Sequence, residues 1–123
     1  MRVYPKTYLY TGGKDAALDA AFEAAQPCGK VKLGRDTLFF KVGFKWYAVP
    51  FAHVRRIFRR VDMVYGKLCA GGRTYDVQML VLVLADQREI EIHVGDDMSA
   101  QAEALYAEIQ AAQPLLAYGK EEA

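Results

Sequence analysis

The residues best suited to chemistry in this chain are the lysines and arginines between positions 30 and 60. This stretch holds nine basic residues against one acidic residue, Asp36, whereas the stretch from Asp86 onward holds nine acidic residues against two basic ones. Clustered cationic side chains attract phosphates, lipid headgroups and acidic protein segments. The residues that we predict for an anion-binding site are Lys30, Lys32, Arg35 and Lys45. The alternative interpretation is that the two stretches are solvated faces that partly pair, within the fold or across a homodimer.

The other candidate motifs lack residues that their chemistry requires. Segment 11–14 (TGGK) lacks the first glycine of a phosphate-binding loop and the serine or threonine after its lysine, so we interpret it as a turn before a helix. His53 and His93 have no cysteine or carboxylate at metal-ligand spacing, and we expect no metal or other cofactor. Trp46 and Tyr47 could stack on a nucleobase, but at strand spacing one of them belongs to the core. We therefore expect neither an enzyme nor a nucleic-acid partner.

Strands must position most of these residues. In residues 88–94, aliphatic side chains alternate with polar or charged ones, which is the period of a half-buried strand. Residues 78–85 form a mostly apolar run, typical of a strand covered on both faces, and residues 86–87 supply the turn between the two strands. Residues 37–42 and 45–49 form a second predicted hairpin.

A long strand is predicted at residues 54–65, although its first apolar residues also have helical spacing. The preceding Pro50 and the aromatic and β-branched content that continues to Tyr65 favour the strand. We predict a tight turn at residues 51–53 and then a strand with a bulge.

Two helices are predicted to flank the strands. The first, at residues 15–25, is rich in alanine, which has the highest helix propensity. The second, at residues 97–112, has a cap at Asp96 or Asp97 and an amphipathic pattern. Its apolar stripe consists of Met98, Ala102, Leu105 and Ile109.

Length and composition indicate one domain. A chain of 123 residues can bury a core without disulfides, and two cysteines, Cys28 and Cys69, are too few for a disulfide scaffold. No segment approaches the roughly 20 apolar residues of a membrane span, and no signal-peptide pattern opens the chain, so we expect a soluble cytoplasmic protein. We divide the chain into an N-terminal extension at 1–29, a domain at 30–114 and a tail at 115–123.

The order of these segments resembles a known family. Segment 32–40 (KLGRDTLFF), segment 46–54 (WYAVPFAHV), a long charged strand, an apolar hairpin and a terminal amphipathic helix are similar to a pleckstrin-homology-like (PH-like) domain, above all to the small bacterial versions. The resemblance covers about residues 30–112. It implies an α+β, mainly β fold: a PH-like barrel of two antiparallel sheets with seven strands, capped by the C-terminal helix. Six strands are predicted here, which begin near residues 30, 37, 45, 54, 73 and 88. Residues 8–10 or a split of the long strand would supply the seventh, and the N-terminal helix is an addition.

The resemblance also implies a binding module, because PH-like domains bind partners rather than catalyse reactions. Phosphoinositide-binding members carry a Lys-x(n)-Lys/Arg-x-Arg pattern, which Lys32 and Arg35 do not match because two residues separate them. We therefore predict a noncatalytic interaction module for a protein or peptide partner, bound at a sheet edge or beside the C-terminal helix. The alternative is an anion or phospholipid-headgroup module on an acidic membrane surface, using the basic residues named above.

Overall fold

The computed structural model of the protein describes residues 4–65, 74–96 and 99–119. Within them the chain is mainly β, with two sheets and two α-helices, so the α+β, mainly β fold class is confirmed. Short 3₁₀ turns precede the first strand and the sixth. In chain order the elements are β1 (Leu9–Tyr10), α1 (Ala16–Ala24), β2 (Gln26–Cys28), β3 (Val31–Leu33), β4 (Thr37–Val42), β5 (Lys45–Pro50), β6 (Val54–Tyr65), β7 (Thr74–Leu84), β8 (Glu89–Asp96), α2 (Ser99–Ala112) and β9 (Ala117–Tyr118).

The first sheet has the order β1-β5-β4-β3-β2, and all neighbouring strands are antiparallel. β4 and β5 form the predicted hairpin, with Val42 opposite Lys45. Gly43 has a φ of +63° at the first position of the two-residue loop between them. Glycine adopts this backbone conformation without steric cost, and a positive φ there matches the twist of a tight hairpin. The loop therefore places Phe44 at the tip of the hairpin.

β2 is a strand that the sequence reasoning missed, because Pro27 lies at its centre. Proline cannot donate a ladder hydrogen bond, but an edge strand tolerates it. β2 is at the edge of the first sheet and pairs with β3, with Pro27 opposite Lys32. Residues 26–28 thus continue the sheet into the segment assigned to the N-terminal extension, and β1 adds a strand at the opposite edge.

The second sheet has the order β8-β7-β6-β9. β6 and β7 pair along their lengths with a register shift between Val54 and Arg56, which confirms the predicted long strand and its bulge. β7 and β8 form the predicted hairpin, and Gln87 in its turn has a φ of +76°. β9 is parallel to β6, unlike the other pairs, so the second sheet is mixed rather than purely antiparallel.

The main core lies between the two sheets and α2. Arg59 on β6 links the second sheet to the helix, because its guanidinium pairs with Glu103 on α2 (Nη2 to Oε1, 3.3 Å) and donates to the oxygen of the buried Gln78 (3.1 Å). The predicted stripe of α2 is confirmed where it is described. Its buried residues are Ala102, Leu105 and Ile109.

α1 covers the opposite face of the first sheet. Asp15 caps the helix, since its carboxylate accepts hydrogen bonds from the amides of Ala17 (3.0 Å) and Leu18 (3.1 Å). Phe22 packs its ring against Phe39 on β4, with ring centres 5.1 Å apart. A second cluster forms there, made of Ala25, Phe39 and Ala48 with Tyr10, Leu18, Ala21, Phe22 and Trp46 around them. The first sheet is therefore apolar on both faces.

The described strands pair within their own sheets and form no continuous ladder that would close a barrel. Side chains join the sheets instead: Tyr4 packs against Phe40 and Tyr47 and donates its hydroxyl to the carbonyl of Glu91 on β8 (2.7 Å). Within the described ranges, no helix has the length and apolar character needed to cross a membrane.

Some predicted features lie outside the described residues. They are the cap at Asp97, the first stripe residue Met98 and Cys69.

Candidate functional site

The four predicted anion-binding residues lie at three places in the first sheet. Lys30 and Lys45 are exposed at one end, where Lys30 lies in the β2–β3 turn and Lys45 begins β5. Lys32 lies within β3, and its ammonium sits 3.8 Å from the centre of the Phe22 ring. Arg35 is exposed in the β3–β4 turn, at the other end of β3. The fold therefore brings Lys30 and Lys45 to one end and directs Lys32 to a cation–π contact with α1.

Arg35 belongs to a different environment from the lysines. Its turn lines an open pocket of about 580 Å³ beside the alanine-rich face of α1, in which Asp15 and Asp36 also lie. Its backbone carbonyl accepts a hydrogen bond from the side-chain amide of Gln113 (2.9 Å), which follows α2. The two nearby carboxylates oppose anion binding at this end, because their negative charges repel an anion.

The β4–β5 hairpin tip separates two pockets of opposite character. On one side an aromatic pocket of about 430 Å³ is lined by apolar residues of β1, α1 and β5 together with Phe44 and Lys45. On the other side a basic pocket of about 320 Å³ is lined by Lys30, Lys41 and His93, with Tyr4 and the hairpin backbone. The apolar residues of the aromatic pocket are Leu9, Tyr10, Phe22 and Trp46.

Lys41 is the basic-pocket residue that sequence reasoning left out of the predicted site. The amide of Lys41 on β4 donates to the carbonyl of Lys30 (2.8 Å), which holds Lys30, in the turn before β3, beside Lys41. Neither lysine has a carboxylate partner within the described part of the chain. The spacing of 11 residues between them gives no sequence signal; only the pairing of β3 with β4 makes them neighbours.

Phe44 is the most exposed large side chain of the hairpin. Its side chain is 98% exposed, whereas Trp46, two residues later, is half-buried against Phe22 (ring centres 5.0 Å apart). An isolated exposed apolar residue needs no explanation, but this one stands between lysines 41 and 45 at the end of a rigid hairpin.

A second candidate site is the groove between β6 and α2, which the C-terminal segment occupies. Ala117 lies opposite Arg56, and Tyr118 lies opposite Ile57, in a parallel pair of strands. The amide of Gly119 donates to the carbonyl of Ile57 (3.0 Å). The C-terminal segment thus binds as a short added strand.

Two side chains of the groove hold the backbone of this segment. Arg56 donates one guanidinium nitrogen to the carbonyls of Tyr118 (3.1 Å) and Gly119 (2.9 Å). Tyr106 on α2 donates its hydroxyl to the carbonyl of Ile57 (3.2 Å) and accepts from the amide of Gly119 (3.1 Å). These contacts involve backbone atoms of the bound segment, so another sequence could make them too.

Tyr118 anchors the segment at the end of α2. Its ring meets Tyr106 edge-on, with centres 5.8 Å apart, and its hydroxyl donates to the carbonyls of Ile109 (3.2 Å) and Gln113 (2.5 Å). Burial, and to a smaller extent the neighbouring Tyr106, raises the pKa of the Tyr118 hydroxyl. Tyr118 is therefore neutral at neutral pH, and its single hydroxyl proton is shared between the two carbonyl acceptors.

The sequence did not reveal the groove's occupant. Residues 115–123 are short and partly polar, and nothing in their pattern indicates a strand. The groove lies beside the C-terminal helix, which is one of the two locations predicted for a partner.

Comparisons of the chain with protein-family models, with curated proteins and with solved structures found no match. Function must therefore be argued from the sites themselves. In the described part of the chain, no three histidine, cysteine, aspartate or glutamate side chains are grouped so that they could hold a metal ion. The two surfaces with the most developed binding geometry are the β6–α2 groove and the β4–β5 hairpin tip.

Proposed function

We propose that this protein is a noncatalytic interaction module that binds an extended segment of a partner protein in the β6–α2 groove. The observation that carries the proposal is the seating of residues 117–119, whose backbone is held by β6, Arg56 and Tyr106. A surface that binds one extended segment through its backbone has the geometry to bind another.

The length of β6 supports this mode of binding. β9 covers β6 at Arg56 and Ile57, and from Phe58 to Tyr65 no strand pairs with that edge among the described residues. An unpaired strand edge presents amide and carbonyl groups that an extended peptide can satisfy. A partner can add to this edge as a longer strand, in place of the short one that the chain itself provides.

The C-terminal segment is a weak competitor for the groove. It pairs with β6 over two residues and is anchored by one aromatic side chain. Its release therefore breaks far fewer hydrogen bonds than opening the β6–β7 ladder, which spans most of both strands. Segments with few contacts open at low free-energy cost. The partner's apparent affinity is reduced by the fraction of molecules in which the segment occupies the groove.

We also propose that the fold is PH-like. Four strands, β2 to β5, form most of the first sheet, three strands, β6 to β8, form most of the second, and α2 follows them. This is the order that the sequence resemblance implies. A PH-like fold would support a binding role only by analogy of fold. The geometry of the β6–α2 groove supports a binding role directly.

Peptide selection on the whole protein tests the proposed function. A library of extended peptides is selected on the parent chain and on Tyr118→Ala, and the bound peptides are mapped by changes in backbone amide NMR signals. We expect the shifts to concentrate on β6 and α2. Tyr118→Ala should bind the same peptides roughly tenfold more tightly, since its own segment competes less.

Two neighbouring arginines provide the matched control. Arg56→Ala removes the donor that holds the bound backbone and should weaken the selected peptides, whereas Arg55, which donates to Gln87 (3.0 Å), should be replaceable by alanine without effect. Peptides that shift signals only elsewhere, or that bind Arg56→Ala and Arg55→Ala equally well, would contradict the proposal.

A second function, binding of anions by the basic residues, is favoured by one observation. Lys30 and Lys41 both line the basic pocket, whereas Lys32 and Arg35 do not. Phosphate titration followed by NMR tests it: chemical shifts at Lys30, Lys41 and Gly43 would support the pocket, and shifts spread evenly over the surface lysines would contradict it.

A further inference from the structure

We propose that the β4–β5 hairpin tip docks the protein onto an anionic lipid bilayer, with Phe44 entering the interface and Lys30, Lys41 and Lys45 facing the headgroups. This inference is independent of the peptide groove. The tip belongs to the first sheet, between β4 and β5, whereas the groove is formed by β6 of the second sheet and α2.

The exposure of Phe44 is the first part of the argument. A 98% exposed phenylalanine at the tip of a two-residue loop contributes no packing to the core. Transfer of a phenylalanine side chain from water into an apolar phase is strongly favourable. Because the loop is tight and both flanking strands are paired, the ring is presented without ordering a long segment.

The charges around the ring are the second part. Lys41 and Lys45 flank the tip within β4 and β5, and Lys30 is hydrogen-bonded through its carbonyl to the Lys41 amide. None of the three has a carboxylate partner in the described residues, and an unpaired ammonium near an anionic surface gains attraction from every headgroup within a Debye length.

The acidic residue that contacts Tyr10 of the aromatic pocket is already engaged. Asp19 on α1 accepts a hydrogen bond from the Tyr10 hydroxyl (2.6 Å) and another from the Gly13 amide (3.0 Å). Its negative charge is thus partly satisfied by these two donors. The tip itself carries lysines and no acid between positions 37 and 50.

A bilayer fits this arrangement better than a protein partner does. A protein surface would need a cavity for one projecting ring and acids placed opposite three separate lysines, whereas a fluid anionic bilayer supplies both without fixed positions. Tyr10 and Trp46 beside the tip add aromatic rings of the type that favours the membrane interface.

Vesicle binding of the full chain tests the proposal. The parent is mixed with phosphatidylcholine vesicles containing roughly one-third phosphatidylserine, and with pure phosphatidylcholine vesicles, at low and at physiological salt. We expect co-sedimentation with the anionic vesicles alone and a weakening with salt, because the Debye length shrinks from about 30 Å at 0.01 M to about 8 Å at 0.15 M.

Matched variants test the residues. Phe44→Ala should reduce anionic-vesicle binding by about tenfold, whereas Leu115→Ala, at a side chain that is 99% exposed elsewhere, should change nothing. The double variant Lys41→Glu/Lys45→Glu should reduce it by about 100-fold, and Lys6→Glu, at an exposed lysine before β1, should have less effect. Circular dichroism confirms that each variant is folded.

Trp46 supplies a site-specific readout, since it is the single tryptophan and lines the pocket beside Phe44. Brominated acyl chains should quench its fluorescence in the parent and less in Phe44→Ala. Failure of the parent to bind anionic vesicles at low salt would overturn the proposal. Binding that Phe44→Ala leaves unchanged would overturn it too, since adsorption would then be electrostatic alone. Loss of vesicle binding on adding soluble glycerophosphoserine would assign the site to a headgroup rather than to the bilayer.

Discussion

The two helices of this protein pack against its sheets in different ways. α2 inserts Ala102, Leu105 and Ile109 into the core that both sheets share, whereas α1 covers the outer face of the first sheet with a separate cluster around Phe39. A helix in the shared core is coupled to both sheets, and a helix on an outer face is coupled to one. We therefore expect damage to α2 to weaken the whole fold and damage to α1 to remain local.

The largest expected effect is in α2. Leu105 is 3% exposed, so Leu105→Ala should leave a cavity and lower the free energy of unfolding by about 2 to 5 kcal/mol in a denaturant titration. The exposed Leu115→Ala is the matched control and should be near neutral. A loss at Leu105 below about 0.5 kcal/mol would mean that α2 does not belong to the shared core.

A smaller and more local effect is expected in α1. Phe22 contacts the rings of Tyr10, Phe39 and Trp46, but it is only half-buried, so Phe22→Ala should cost about 1 to 3 kcal/mol. Hydrogen exchange should accelerate in α1 and change little in β7. Equal acceleration in both would show that the two clusters unfold as one unit.

Removing the cap of α1 should have a still smaller effect. Asp15→Ala leaves the amides of Ala17 and Leu18 without their acceptor and should destabilise by about 0.5 to 2 kcal/mol. Asp15→Asn keeps a capping oxygen and serves as the control. If thermal unfolding showed the alanine and asparagine variants to be equally stable, the cap would contribute nothing.

The smallest effect concerns pH. The hydrogen bond that Tyr10 donates to Asp19, with a smaller effect of burial, raises the pKa of the phenol to about 12. Because the neutral phenol is the form bound in the folded state, its contribution is fully present below pH 10 and is lost as pH rises through about 12.

Difference titration measures this effect. The phenolate absorbance of the parent minus that of Tyr10→Phe should give a single transition centred near 12, together with a loosening of α1. A transition near the ordinary value of 10 would show that the Tyr10 hydroxyl is not held by α1 in solution.

The candidate basic site could be predicted from the sequence only in part. The charge asymmetry indicated a basic region, but it did not show where each lysine would lie. Lys32, within β3, contacts Phe22, whereas Lys30, in the turn before β3, lines the basic pocket at the hairpin end. The position of Lys41 beside Lys30 depends on the β3–β4 register. The residue type of Phe44 alone did not show whether its side chain would be buried or exposed.

The sequence by itself determined the local elements. Alternation in β8, the apolar run of β7, the glycine of the β4–β5 loop and both helical patterns are properties of neighbouring residues, and each was found where it was predicted. Tertiary structure alone decided β2, the burial of Phe39 beneath α1, and the docking of residues 117–119 on β6. These features depend on contacts between residues distant in the chain. The edge position in the first sheet accepts Pro27, and α1 covers the outer face of that sheet. The β6–α2 groove orders residues 117–119, whose sequence has no strand pattern.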